Sequence, residues 1–187
     1  MAALTLHSTA FLPVINGLKN AHAFISKAST HCTTTSTDPT TLLTASLHPD
    51  MKDFRFQVHC FTDAAKFLPI RLNPALEDRE LKLPDGEHSF EELLNRIQKT
   101  TEHLESYKES DFEGISKDTI VTVKFPNGKG IKLGAEEHVA KYAHPNFWYV
   151  LDILFFLSSF SALPSFAGVW GRKWERGKRT WGLADES

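Results

Sequence analysis

The chain has 187 residues, 41% hydrophobic and 24% charged, with 21 basic against 23 acidic side chains. A chain of this size buries roughly 70% of the surface its unfolded form exposes, so one globular domain can hold together without disulfide or metal staples. The net charge of -2 gives no global basic field, which argues against a dedicated nucleic-acid binder.

Cys32 and Cys60 have no CxxC spacing and read as free thiols. The opening MAALTLHSTAFLPV lacks a basic leader, and His7, Ser8 and Thr9 interrupt its apolar run. It does not read as a secretory signal, so a reducing, cytoplasmic setting is expected.

From Ser8 to Lys27, Phe11, Val14, Ile15, Leu18, Ala21, Phe24 and Ile25 recur at three and four residues, predicting a first helix. Pro13 is expected near its first turn, and Gly17 weakens its middle on propensity. Thr30 to Thr41 holds seven threonines plus Asp38 and Pro39 and reads as a loop. Leu42, Leu43 and Leu47 predict a short helical turn ahead of Pro49. A second long helix is expected from near Pro49, with Met51, Phe54, Val58, Phe61, Ala65 and Leu68 inward, ending by Pro69 or Asn73-Pro74.

Ser89 with Glu92 three residues on is a capping-box pattern opening the next helix, through Leu93, Ile97 and Leu104. Ile120, Val121, Val123 and Phe125, then Asn127-Gly128, then Ile131 and Leu133, predict a β-hairpin. The last helix is expected from near Ala135, with a kink or restart at His144-Pro145. The fold class is therefore mainly α, a four-helix up-and-down bundle with a short β-hairpin before the last helix.

Residues 147–170 contain one charged side chain, Asp152, and precede Arg172, Lys173, Arg176, Lys178 and Arg179. The length suits a membrane span, whereas Asp152, Pro164 and four serines oppose one. A buried helical continuation and a basic aromatic surface meeting anionic lipid are the other two readings of this end.

Nine histidines invite a metal site, but none forms a pair at three or four residues on one helix face. A set gathered across helices would use His59 with His138 and His144, beside Asp63 or Asp152, and would suit zinc, nickel or iron. No nucleophile motif is present, and His59-Cys60 point apart on a helix. The word running from Tyr142 through His144, Asn146 and Trp148 clusters aromatic and polar groups at a helical break, where freed carbonyls can face a cavity.

LKNAHAFISKA in the first helix, LHPDM at Leu47 to Met51 with Phe54, Gln57, Val58 and Lys66, SFEELLNRIQKTTEHLES and HPNFWY occur together. This set resembles a little-characterised branch of the DinB-like helical bundles, over about residues 4–149. The resemblance implies a four-helix bundle with a hairpin before the last helix, divided as a bundle over 1–149 and an apolar then basic tail over 150–187. It also implies a divalent metal held by one histidine of the second helix and two of the fourth, in some members serving thiol-dependent transferases or hydrolases. The family histidine after the aromatic word is missing here, and the chain departs from the pattern at Val150, as a different splice form or a misread gene model would.

Three function classes stay open at this stage. The first is a binder of a small apolar or aromatic molecule in the bundle core, with His59, Tyr142, His144, Asn146 and Trp148 as its pocket. The second is a metal-dependent transferase or hydrolase with His59, His138 and His144 as ligands. The third is a membrane-associated interaction protein working through residues 147–179. Expected partners are a small-molecule ligand, a membrane in the third class and a second copy in a homodimer; no nucleic acid is expected.

Overall fold

The structure, a computed structural model, describes residues 5–125 and 128–160. Seven α-helices and one hairpin follow in chain order: α1 Leu6–Thr34, α2 Pro39–Leu43, α3 Phe54–Lys66, α4 Leu68–Leu72, α5 Phe90–Glu105, strands β1 Ile120–Lys124 and β2 Gly130–Gly134, α6 Ala135–His138 and α7 His144–Phe160. The four long helices make the bundle. α1 packs chiefly on α5 and α7, and α3 packs on the same two, so α1 and α3 stand across the core from each other.

α1 starts two residues earlier than expected because Thr5 and Ser8 form a reciprocal cap. It also runs through the first part of the threonine stretch. Thr30 and Thr33 donate their hydroxyls to the carbonyls four residues back, Ser26 and Ser29, while Thr34 and Thr35 both donate to His31. The residues that break helices by bonding their own backbone here bond helical carbonyls instead. The loop is correspondingly short, and Asp38 caps α2 by accepting from the Thr40 amide at 2.9 Å.

α3 begins at Phe54 rather than near Pro49, because the Asp53 carboxylate accepts from the Phe56 amide. At α5, Ser89 accepts from the Glu92 amide at 3.2 Å and Glu92 accepts from the Ser89 amide at 3.0 Å, the capping box read from the sequence.

The hairpin pairs Val121 with Leu133 and Val123 with Ile131, and Val121 and Val123 are buried. Its closing bonds run from the Phe125 amide to the Lys129 carbonyl and from the Gly128 amide to the Phe125 carbonyl. Gly128, whose amide makes the second of these bonds, has φ +77°, a conformation glycine adopts without a Cβ penalty. Asn127 lies outside the described residues.

The core joins Phe11, Leu18 and Ile25 of α1 to Phe54, Val58 and Phe61 of α3, Leu93 and Ile97 of α5, and Phe147 and Leu154 of α7. Gly17 lets it close: a Cβ built there would lie 2.5 Å from Phe147 Cε1 and 3.1 Å from Trp148 Cη2. α7 continues without a break past Val150, burying Leu151, Ile153, Leu154 and Leu157.

Candidate functional site

Two helical irregularities face each other at one end of the bundle. Between α6 and α7 the chain makes one π-helical turn, Val139–Ala143, closed by the His144 amide donating to the Val139 carbonyl. Pro145 explains the widening, because it has no N–H for the carbonyl four residues back and its ring crowds that carbonyl. Asn146 Nδ2 then donates to the Tyr142 carbonyl at 2.6 Å, a side-chain bond across the same break. On the facing wall, Pro13 lies well inside α1 rather than in its first turn, so the Thr9 carbonyl loses its helical donor.

His144 spans these two irregularities, donating from Nε2 to the Ala10 carbonyl at 3.0 Å. Beside it lies a cavity of about 570 Å³ lined by Thr5, Leu6, Thr9, Ile115, Lys117, Glu136, Val139, Ala140 and His144. That volume falls in the range of small-molecule sites, with apolar walls and a few convergent polar groups. A second cavity, about 410 Å³, lies at the opposite end of α1 beside Cys32, Leu42 and Leu157, with His31 at its edge.

On the other flank of the π-turn, His138 is fully buried and neither ring nitrogen has a hydrogen-bond partner. Its ring stacks on Tyr142, with centroids 5.6 Å apart and planes at 26°. The Arg71 guanidinium lies 5.8 Å from the Tyr142 ring centre and 5.3 Å from that of Phe67, while Lys66 Nζ stands 4.9 Å from Phe67. Burial and then the positive charge of Arg71 push the His138 pKa down to about 4, leaving a neutral imidazole near pH 7. Burial likewise lowers the pKa of Arg71.

A third polar group ties the loop before α5 to the bundle. Arg96, 1% exposed on α5, donates from Nε to Thr62 Oγ1 at 2.8 Å and from one terminal nitrogen to the Pro84 carbonyl and Glu87 Oε1. Its other terminal nitrogen meets Asp63 Oδ1 at 2.9 Å and Asp85 Oδ1 at 3.0 Å. Lys66 Nζ shares Asp63 at 2.8 Å. His59 Nε2 stands 2.9 Å from Glu87 Oε2, without hydrogen-bond alignment, and its Nδ1 is 3.9 Å from Asp85.

Burial alone would raise the Glu87 pKa, but the Arg96 hydrogen bond and the charges of Arg96 and His59 hold it below its ordinary value. Burial, then Asp63 and Asp85, raise that of the Cys60 thiol, which suits an unreactive free cysteine. The sequence held one signal for this clamp: Arg96 falls on the same helical face as Leu93, Ile97 and Thr100, a position that demands buried acceptors.

The model of a family described as a domain of unknown function, DUF1993, matches residues 6–157. The chain belongs to that family. Its fold is DinB-like: the crystal structure of a DinB family member protein from Shewanella denitrificans superposes with a TM-score of 0.73 at 26% identity, covering 83% of this chain and 85% of that one. No curated protein matches.

In this DUF1993 chain the five expected pocket residues do not ring one cavity. His144 borders the 570 Å³ space, Tyr142 faces His138 and Arg71, and His59 belongs to the acidic clamp. Asn146 is exposed against the Tyr142 carbonyl, and Trp148 packs edge-on to Phe147 at 5.3 Å.

The metal set expected from the DinB-like resemblance fares similarly. Among the described residues no group of three or more His, Cys, Asp or Glu is placed to hold a metal ion. His144 gives its Nε2 proton to a carbonyl, His59 stands between carboxylates bound to Arg96, and the cation beside His138 opposes a second cation there. His59, His138 and His144 therefore do not fit zinc, nickel or iron as one ligand set. Asp63 is held by Lys66 and Arg96, and Asp152 is exposed. No helix among the described residues is long and apolar enough to cross a membrane; residues 161–179 lie outside them.

Proposed function

We propose that this DUF1993 protein binds a small, largely apolar molecule in the cavity beside the π-turn. The observation that carries this reading is the 570 Å³ space itself, where Leu6, Ile115, Val139 and Ala140 supply apolar wall and His144, Lys117 and Glu136 supply orientation. The two prolines support it physically. Each removes a backbone donor, so the two helical walls, at Thr9 and at Val139 to His144, are irregular where they face the cavity, and the loop residues Ile115 and Lys117 complete its lining.

Ala140 is exposed at the edge of the cavity, so Ala140→Trp fills it without touching the core. The neutral aromatic probe N-phenyl-1-naphthylamine should fluoresce on binding the full chain and lose most of that signal in Ala140→Trp. Equal probe binding by the two proteins would refute the assignment.

A further inference from the structure

Below the other flank of the π-turn lies an arrangement that the apolar cavity does not use. Both nitrogens of fully buried His138 are without a hydrogen-bond partner, and beside it the partly exposed Arg71 guanidinium and Tyr142 hydroxyl have no hydrogen-bond or ion-pair partner among the described residues. Buried polar groups are nearly always satisfied, and a half-buried guanidinium without a carboxylate is unusual, so the cluster calls for a ligand rather than a packing explanation.

We infer that Arg71, His138 and Tyr142 form a binding site for the carboxylate of a small organic acid. The sign of the ligand follows from the charges. Lys66 Nζ and Arg96 both hold Asp63 in direct ion pairs, while Asp63 acts on Arg71 only as a more distant charge, so among the described residues Arg71 has no ion-pair contact of its own. A metal ion would meet that fixed positive charge, whereas a monoanion cancels it.

The shape of the ligand follows from the donors and walls. Guanidinium presents a planar fork that matches the two oxygens of a carboxylate, and a neutral imidazole and a phenol each add one further donor. The guanidinium lies over the rings of Phe67 and Tyr142 at 5.3 and 5.8 Å, so two aromatic rings hold it in place and make the surroundings of a bound carboxylate largely apolar. Arg71, Phe67 and Tyr142 are partly exposed, so the acid enters from the surface and His138 closes the floor. This site is separate from the apolar cavity, and either assignment can fail without the other.

The test is a titration of the isotope-labelled full chain with sodium benzoate at fixed ionic strength, following histidine ring resonances by NMR, with inorganic phosphate and zinc sulfate in parallel. His138 signals are identified by their loss in His138→Gln. Benzoate should shift them saturably, leaving those of His144 in place. Arg71→Met should weaken binding about tenfold or more, as losing a hydrogen bond between charged groups does. Tyr142→Phe, which removes only the hydroxyl, should weaken it less. Arg71→Lys, which keeps the charge but not the fork, tests the geometry should the methionine variant fold poorly, and it should also bind more weakly. The inference is overturned if benzoate leaves His138 unmoved, if Arg71→Met and Arg71→Lys both bind as the natural chain does, if phosphate alone gives the shift, or if zinc binds stoichiometrically through His138.

Discussion

Gly17 offers a test in which two physical rules give opposite signs. By helix propensity, Gly17→Ala in the middle of a 29-residue helix should stabilise the protein by about 1 kcal/mol. By packing it should do the reverse. The new Cβ would sit 2.5 Å from Phe147 Cε1 and 2.9 Å from its Cζ, where carbon atoms in contact prefer about 3.5–4.0 Å. The ring has little room to retreat, because it is 1% exposed and held edge-on by Phe61 and Trp148 at 5.8 and 5.3 Å. Overpacking of this kind costs about 1–3 kcal/mol, and so deep an overlap belongs at the upper end. The expected net effect is a destabilisation of about 1–2 kcal/mol, or a fall in melting temperature of about 2–8 °C for a domain of this size. Urea unfolding followed by circular dichroism reads it as a lower midpoint at unchanged slope. Adding Phe147→Leu should recover part of the loss, since the two positions touch. A Gly17→Ala protein as stable as the natural chain would mean that the helices are not this close.

The clamp around Arg96 predicts a larger effect. Arg96→Met takes the arginine from partly buried Glu87 and from Asp85, leaves Asp63 to Lys66 alone, and should cost about 3 kcal/mol in urea unfolding; a loss below about 1 kcal/mol would show the cluster to be solvated like a surface pair. Glu87 has its folded pKa below the unfolded value of 4.5, so its contribution is present above that pH and lost as pH falls through the folded value. Glu87→Gln should therefore flatten the decline of stability below pH 4.5, and an unchanged pH profile would contradict the ion pair. His138 has the opposite origin but the same direction. With its folded pKa near 4 against 6.5 when unfolded, the unfolded chain takes up its proton first, and stability drops between pH 6.5 and 4, by about 3 kcal/mol at the lower end. His138→Gln should remove that part of the slope, measured as the urea midpoint against pH, and an equal slope in both proteins would place the imidazole in water.

What the sequence disclosed and what it hid divide by the range of the interactions involved. The capping box at Ser89 and Glu92, the alternation in Val121 and Val123, and the helical stripe through Phe54, Val58 and Phe61 are local patterns, and each element formed where its pattern stood. Boundaries moved where a short side chain could bond the backbone in two ways. The threonines after Thr30 serve a helix as readily as a loop, and the choice was made by Ile25, Ala28 and Cys32, whose burial keeps α1 going. The site residues were harder because their meaning depends on which wall faces which. His59, Tyr142 and His144 look alike as polar residues on helices, yet the bundle sends one to Arg96's carboxylates, one to Arg71 and one to the Ala10 carbonyl.

The two prolines make the same point from the other side. Pro145 was legible as a break, because a proline after a histidine ahead of an apolar run disturbs any helix. Pro13 was not, because its effect depended on where α1 began, and Thr5 set that start by capping the helix. Once both are placed, the hydrogen bond that the His144 imidazole donates to the Ala10 carbonyl joins the two irregular segments, each of which has given up a backbone hydrogen bond of its own. An opening is held between regular helices at that junction, and a functional reading of this protein starts from it.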